Sequence, residues 1–350
     1  MSYRLGQPLE SQCRLPDSRD ARVTANTNHQ QMRNLITGGA GFIGSHLAEF
    51  LLARNEEVIV WDDLSTGRMS NLSRCLGQPG FRYIIGDITK DPLFESVVAD
   101  VDVVYHLAAA VGVQLVVHDP VRTIETNIVG TEVALRATAK FGKRIFVAST
   151  SEVYGKGTKI PFSEEDDVLY GPTSKRRWNY AISKAVDEFL LLAYHESHAL
   201  PGVVGRLFNT VGPRQVPFYG MVIPRFISQA RANEPLTVYG DGSQSRCFGH
   251  VLDVVPAMHA LVHSEAAMGE VVNLGSDEEI TVLRLAERIR DRLGSSSEIR
   301  FVPYDVAYRP GFEDMQRRVP DVRKAHRLIG FRPTRTLDDV ITDILAYQGS

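Results

Sequence analysis

The sequence predicts an α/β protein: a doubly wound parallel sheet with helices on both faces and a smaller C-terminal α/β lobe. Three observations carry this. Short β-branched apolar runs alternate with amphipathic stretches from Arg33 onward, the pattern of parallel strands joined by covering helices. A glycine-rich turn, "TGGAGFIG", joins the first such run to the first helical stretch,. After about residue 210 the alternation loosens into short strands and loops.

In order, "RNLIT", "EEVIVWD", "FRYIIGD", "VDVVYHLA", "KRIFVAST" and "GVVGRLFNTVGP" read as strands, with "FIGSHLAEFLLARN", "TNIVGTEVALRATAKFG" and "YAISKAVDEFLLLAYHESH" as helices between them,. "EPLTVYGDGSQSRCFGHVLDV", "GEVVNLGSDEEIT" and "SEIRFVPYD" supply the later strands. The reading divides the chain into an N-terminal extension over 1–31, a dinucleotide-binding domain over 32–209 and a mainly substrate-binding lobe over 210–350, interleaved with the domain before it. The first 30 residues are polar and weakly periodic, as expected of a disordered extension,.

The chain has 350 residues, 43% hydrophobic and 23% charged, enough for two joined domains with a sizeable core,. A formal net charge of −3 with interspersed signs argues against nucleic-acid binding and for a small-molecule partner,. Cys13, Cys75 and Cys247 lack paired spacing, so neither a disulfide framework nor a metal site is expected,. No stretch has the ~20 apolar residues of a membrane span, and no signal peptide is legible, so a cytoplasmic protein is expected.

Gly38, Gly41 and Gly44 sit between strand and helix, where missing side chains let backbone approach a pyrophosphate favoured by the helix N-terminus,. Phe42 and Ile43 open that helix. The next strand ends in Asp62, eighteen positions after Gly44; its carboxylate can accept from both ribose hydroxyls and would repel a 2′-phosphate, which predicts NAD and a Rossmann-type domain. Asp87 and Ile88 follow the third strand at the adenine end, with a strand-end cap as the alternative for Asp87. Ala108, Ala109 and Ala110 offer small surfaces to the nicotinamide end, with Leu107 beside them. Tyr180 and Lys184, four apart, share a helix face,; an ammonium near a phenol lowers its pKa, so Tyr180 can take a proton from a sugar hydroxyl.

"TGGAGFIG", "DDLSTG", "HLAA", "YAISK" and "RLFNTVGP" together resemble the extended short-chain dehydrogenase/reductase family, and specifically its nucleotide-sugar epimerases, dehydratases and decarboxylases, over nearly all of 33–345. The resemblance implies that Thr150 bonds the reacting sugar oxygen, that Tyr180 is the base, and that Lys184 holds the nicotinamide ribose. It adds Asp63, Ser65, Thr66, Gly67 and Asn127 to the cofactor side. For a nucleoside diphosphate sugar it implies Asn209 and Arg246 at the diphosphate, and Val222, Arg225, Thr237 and Tyr239 around the base. A surface salt bridge is the alternative for Arg246. "TVYGDGSQSR" is similar to the uridine branch, with thymidine sugars left open. A homodimer pairing through two helices is the family expectation.

All three reactions of the family begin with oxidation at C4. Dehydratases carry an Asp-Glu pair after the threonine, whereas this chain has Ser151-Glu152, and a serine cannot be the acid that dehydration needs. Epimerases usually carry small residues where Glu152 stands. UDP-glucuronate decarboxylases of the UDP-xylose synthase type carry "TSEVYG" and an arginine at the position of Arg318, implied to bind the substrate carboxylate or relay a proton, with a diphosphate ligand common to all branches as the alternative. The resemblance therefore implies decarboxylation of UDP-glucuronate to UDP-xylose or to the UDP-4-keto-pentose that the aminoarabinose-pathway branch releases. The alternatives are a UDP-sugar 4-epimerase and a non-catalytic NAD-binding regulator. Lys175, Arg176 and Arg177 read as a solvated charged loop, with the sugar pocket as the alternative.

Overall fold

The structure is a computed structural model that describes residues 31–110, 119–216, 221–307 and 315–349. The predicted extension, including Cys13, lies outside the described residues except for Gln31.

Seven parallel strands form the main sheet: β1 (Arg33–Thr37), β2 (Glu57–Asp62), β3 (Phe81–Ile85), β4 (Val103–His106), β5 (Arg144–Thr150), β6 (Gly202–Leu207) and, from far along the chain, β11 (Val271–Leu274), in the order β11-β6-β5-β4-β1-β2-β3. The inner strands are buried on both faces because helices cover both, whereas the edge strand β3 is partly exposed,. Helix α1 (Phe42–Leu52) packs on one face with α6 (Val251–Val262), around Leu47, Leu51, Val254 and Met258. On the other lie α2 (Leu93–Asp100), α3 (Pro120–Lys140) and α4 (Asn179–His198), around Phe94, Leu135 and Leu191. Pro120 opens α3, and the Asp119 side chain caps it by accepting from the Arg122 N–H,.

Order reverses between β1 and β4, so the loops leaving the carboxyl ends of β1 and β4 part there and open a crevice,. A second core of Ile223, Phe226, Val238, Leu285 and Ile341 holds the lobe built on α5 (Val222–Arg231), β8 (Leu236–Tyr239), α7 (Val282–Arg292) and α10 (Leu337–Gly349). Between β8 and α6, β9 (Ser245–Cys247) joins a three-stranded sheet with β12 (Glu279–Thr281) and β14 (Arg317–Arg318). After residue 210 the chain thus visits both cores, since α6 and β11 return to the main sheet.

Candidate active site

One cavity of about 970 Å³ runs from the glycine loop, across the ends of the parallel strands, to α5 and β9. That volume lies at the upper end for small-molecule sites.

At its cofactor-like end, Gly38 has φ +71°, and a Cβ there would sit 2.7 Å from the Ala108 backbone N, so only glycine lets β1 and β4 approach this closely,. Phe42, Ile43 and Gly44 place the N-terminal turn of α1 on the cavity. The N–H groups of that first turn have no partner inside the helix, which suits a pyrophosphate. Asp62 is buried and accepts from the N–H of Ala40 (2.9 Å) and of Leu64 (2.8 Å), so it also fastens the glycine loop. Each oxygen keeps a lone pair for a ribose hydroxyl. Burial pushes the Asp62 pKa up, against those two N–H bonds. Gly67 lies outside the cavity wall, where a Cβ would sit 2.7 Å from the Asp62 carboxylate. Asp63, Ser65, Thr66, Ile88, Leu107, Ala108, Ala109 and Ala110 line the cavity. Asp87 lines it too, but its carboxylate is committed to the turn after β3, accepting from the Thr89 N–H and hydroxyl and pairing with Lys90 at 2.8 Å. Asn127 stands behind the wall, fully buried, accepting from the Ala110 N–H (2.8 Å) and donating to the Ser183 hydroxyl (3.0 Å). These residues fit NAD: an open helix end for the diphosphate, carboxylates for ribose and a wall of small residues.

In the middle of the cavity, Thr150 ends β5 and caps the short turn that follows, its Oγ accepting from the Glu152 N–H at 3.2 Å. Gly155 (φ +59°) then folds the chain back so tightly that a Cβ would lie 2.2 Å from the Leu169 carbonyl. The turn aims Ser151 and Glu152 into the cavity beside Tyr180. Glu152 is clamped: one carboxylate oxygen accepts from Arg177, and the other lies 3.4 Å from the Arg318 guanidinium. Burial alone would raise its pKa, but Arg177, Arg318 and Arg246 hold it at about 2,. Arg246 and Arg318 are direct neighbours, paired in parallel register on β9 and β14.

The solvated-loop reading of 175–177 fails at Arg177, which is only 4% exposed. It precedes Tyr180 by three residues, on the short turn that leads into α4. The expectation that Lys184 lowers the tyrosine pKa also meets a correction. The Lys184 ammonium donates to Asp187 at 2.8 Å with both groups buried, and burial, then Glu152 and Asp187, push the Tyr180 phenol up against the Thr150 hydroxyl and Arg177.

At the far end, Asn209, Val222, Arg225, Tyr239 and Arg246 line the cavity. Asn209 donates to the Cys247 carbonyl (2.9 Å), and the Arg225 guanidinium stacks 4.2 Å from the Tyr239 ring centre. Thr237 does not reach it: the Gln229 side chain of α5 covers its hydroxyl at 3.0 Å. Among the described residues no acidic, histidine and cysteine cluster could hold a metal, and no helix is long and apolar enough to cross a membrane.

The family described as GDP-mannose 4,6-dehydratase matches residues 35–344. The chain belongs to this family. Among its relatives, a UDP-N-acetyl-alpha-D-glucosaminuronate decarboxylase of Bacillus cytotoxicus is 45% identical over 90% of this chain and 97% of its own length. UDP-glucuronic acid decarboxylase 1 of Danio rerio is 38% identical over 90% of this chain and 72% of its own. Of solved structures, the UDP-glucuronic acid 4-epimerase of Bacillus cereus, in complex with UDP-glucuronic acid and NAD, superposes with a TM-score of 0.80 at 32% identity, covering 90% and 98% of the two chains.

Proposed function

We propose that this chain is a UDP-glucuronate decarboxylase, working with NAD through a 4-keto intermediate to UDP-xylose or UDP-4-keto-pentose. The observation that carries the reading is the Arg177–Glu152–Arg318 clamp beside Thr150 and Tyr180, with Ser151 where dehydration would need an acid.

NAD would be held by the α1 turn, Asp62, Asp63 and the Leu107–Ala109 wall, and would supply the hydride acceptor at C4, returning the hydride there when UDP-xylose is the product and keeping it as reduced cofactor when UDP-4-keto-pentose is released. Without NAD, burial keeps the Tyr180 phenol protonated; the positive charge that the nicotinamide ring would bring beside it favours the phenolate, which takes the C4 hydroxyl proton while the Thr150 hydroxyl holds the oxygen, and Lys184 orients the ribose edge. Once C4 is a ketone, the C6 carboxylate belongs to a β-keto acid and leaves as CO2, its bonding electrons passing to the carbonyl. Arg318 and Arg177 orient that carboxylate. Glu152 offsets their charge, so the anionic ground state is not held so tightly that its loss is opposed. With its pKa at about 2, Glu152 is ionised at neutral pH; it therefore orients a water toward C5 rather than giving up a proton of its own. Arg246 and Asn209 bind the diphosphate, and Arg225 with Tyr239 stacks against the base.

Incubation with UDP-glucuronate tests this: release of CO2 and a UDP-pentose is expected, whereas a UDP-hexuronate of unchanged mass would make the chain a 4-epimerase. The 45% identical relative, named for a 2-acetamido sugar, favours UDP-N-acetylglucosaminuronate as a second substrate for the same assay. The two buried thiols, Cys75 and Cys247, suit a reducing cytoplasm. We further propose a homodimer, because α3 and α4 expose Val121, Ile124, Val129 and Phe189, the last 72% accessible,.

A further inference from the structure

Lys184 ends on a buried carboxylate outside the reacting set. Its ammonium lies 2.8 Å from Oδ2 of Asp187, and the two side chains are 3% and 0% exposed. Tyr180, Lys184 and Asp187 follow one another at spacings of four and three on α4, so phenol, ammonium and carboxylate share one face. From α3, packed alongside, the Thr131 hydroxyl faces the same carboxylate. Thr131 also lies 3.2 Å from Nε2 of His106, whose Nδ1 is 2.8 Å from the Thr37 hydroxyl. Burial and the Lys184 charge lower the His106 pKa to about 3, which keeps the ring neutral. A buried polar chain thus runs from the ends of β1 and β4, beside the glycine loop, to the ammonium.

We propose that Asp187 is a positioning residue: it pins the Lys184 ammonium and, by compensating that charge, sets how readily Tyr180 gives up its proton. An ammonium alone would favour the phenolate, but a carboxylate in contact with it largely cancels its field at the phenol. The other charges facing Tyr180 are Glu152, which opposes ionisation, and Arg177, which favours it; the Thr150 hydroxyl bonds the phenol. Glu188, next to Asp187, is neutralised by Arg206, whose Nη2 and Nε donate at 2.7 and 3.0 Å. Burial raises the proton affinity of Asp187 itself, and Lys184 and Thr131 oppose this. Asp187 is therefore the negative charge that decides whether Lys184 acts on the phenol as a free cation.

The pH-rate arm rests on Tyr180 being the base; a spectroscopic arm does not. Tyrosinate absorbance of the full chain freed of NAD, less that of Tyr180→Phe, should show no Tyr180 ionisation below the ordinary tyrosine value of ~10. In Asp187→Asn, Tyr180 should ionise at least about one pH unit lower than in the parent, and the acid limb of kcat should move down equally, with Asp187→Glu restoring both. A parent Tyr180 that ionises below ~10 overturns the proposal even if the Asn variant does not fold, and so does identical titration in parent and variant. A shifted titration with an unmoved kcat limb upholds Asp187 and refutes Tyr180 as the base.

Discussion

Removing Arg177 should expose how much of the site's geometry rests on one ion pair. Glu152 ordinarily titrates at 4.5 and is held at about 2 in place, a gap corresponding to about 3 kcal/mol of folded-state stabilisation at pH 7. The folded pKa is depressed, so this contribution is present above about pH 4.5 and lost as pH falls through about 2. Arg177→Met deletes the nearest cation and leaves Arg318 at 3.4 Å. Both partners are buried, with side chains 4% and 14% exposed, so the remaining carboxylate is poorly solvated and the loss should approach ~3 kcal/mol. Glu152→Gln alone leaves two guanidiniums facing a neutral amide and should also destabilise. The double variant should lose about 2 kcal/mol less than the sum, because neither charge is then stranded. Urea unfolding of the four proteins at pH 7 measures this cycle, and the gap between parent and Arg177→Met should close as pH is lowered from about 4.5 toward 2. Losses that add to within ~0.5 kcal/mol would refute the coupling and with it the clamp.

Two further outcomes follow from the site and the surface. Tyr180→Phe should lower turnover by about 10²-fold or more while the purified protein still binds NAD, read as nucleotide released on denaturation; undiminished turnover removes Tyr180 from the reaction. Phe189→Lys, at an exposed position of α4, should convert a dimer to monomers in sedimentation, and an unchanged sedimentation coefficient would place any interface elsewhere.

The main sheet was legible because its signals are local: β-branched runs of strand length and a glycine turn between strand and helix. β11 was harder to place, since "GEVVNLG" looks like any short strand and only its pairing with β6 puts it at the sheet's edge. At the site, Thr150, Tyr180 and Lys184 were readable from spacing and resemblance. Arg177 was not, because "SKRRW" looks uniformly solvated; Arg176 is exposed while its neighbour is buried, and only the position of Glu152 across the cavity decides which turns inward. Asp187 was hidden similarly: an acid beside Glu188 on an amphipathic helix suggests surface charge, and its burial becomes visible only once α3 packs alongside and brings Thr131 to it. Thr237 misled for the converse reason, since strand alternation puts it on the face of Tyr239 but cannot foresee Gln229 covering it.

This division between local and distant signals bears on specificity. Thr150, Ser151 and Glu152 are consecutive at the end of β5 and on the turn that follows it, the same strand end that would serve an epimerase or a dehydratase. Glu152's partners come from 25 and 166 residues further along the chain, on the turn before α4 and on β14, and β14 is itself held against β9 by Arg318–Arg246 register. The carboxylate therefore reads as a fixed anion only when three separate segments close on it. Placing a glutamate after Thr150 in an epimerase scaffold should not by itself confer decarboxylation. Without guanidiniums at the positions of Arg177 and Arg318, burial would push that glutamate's pKa up, as it does for Asp62 at the far end of this same cavity,.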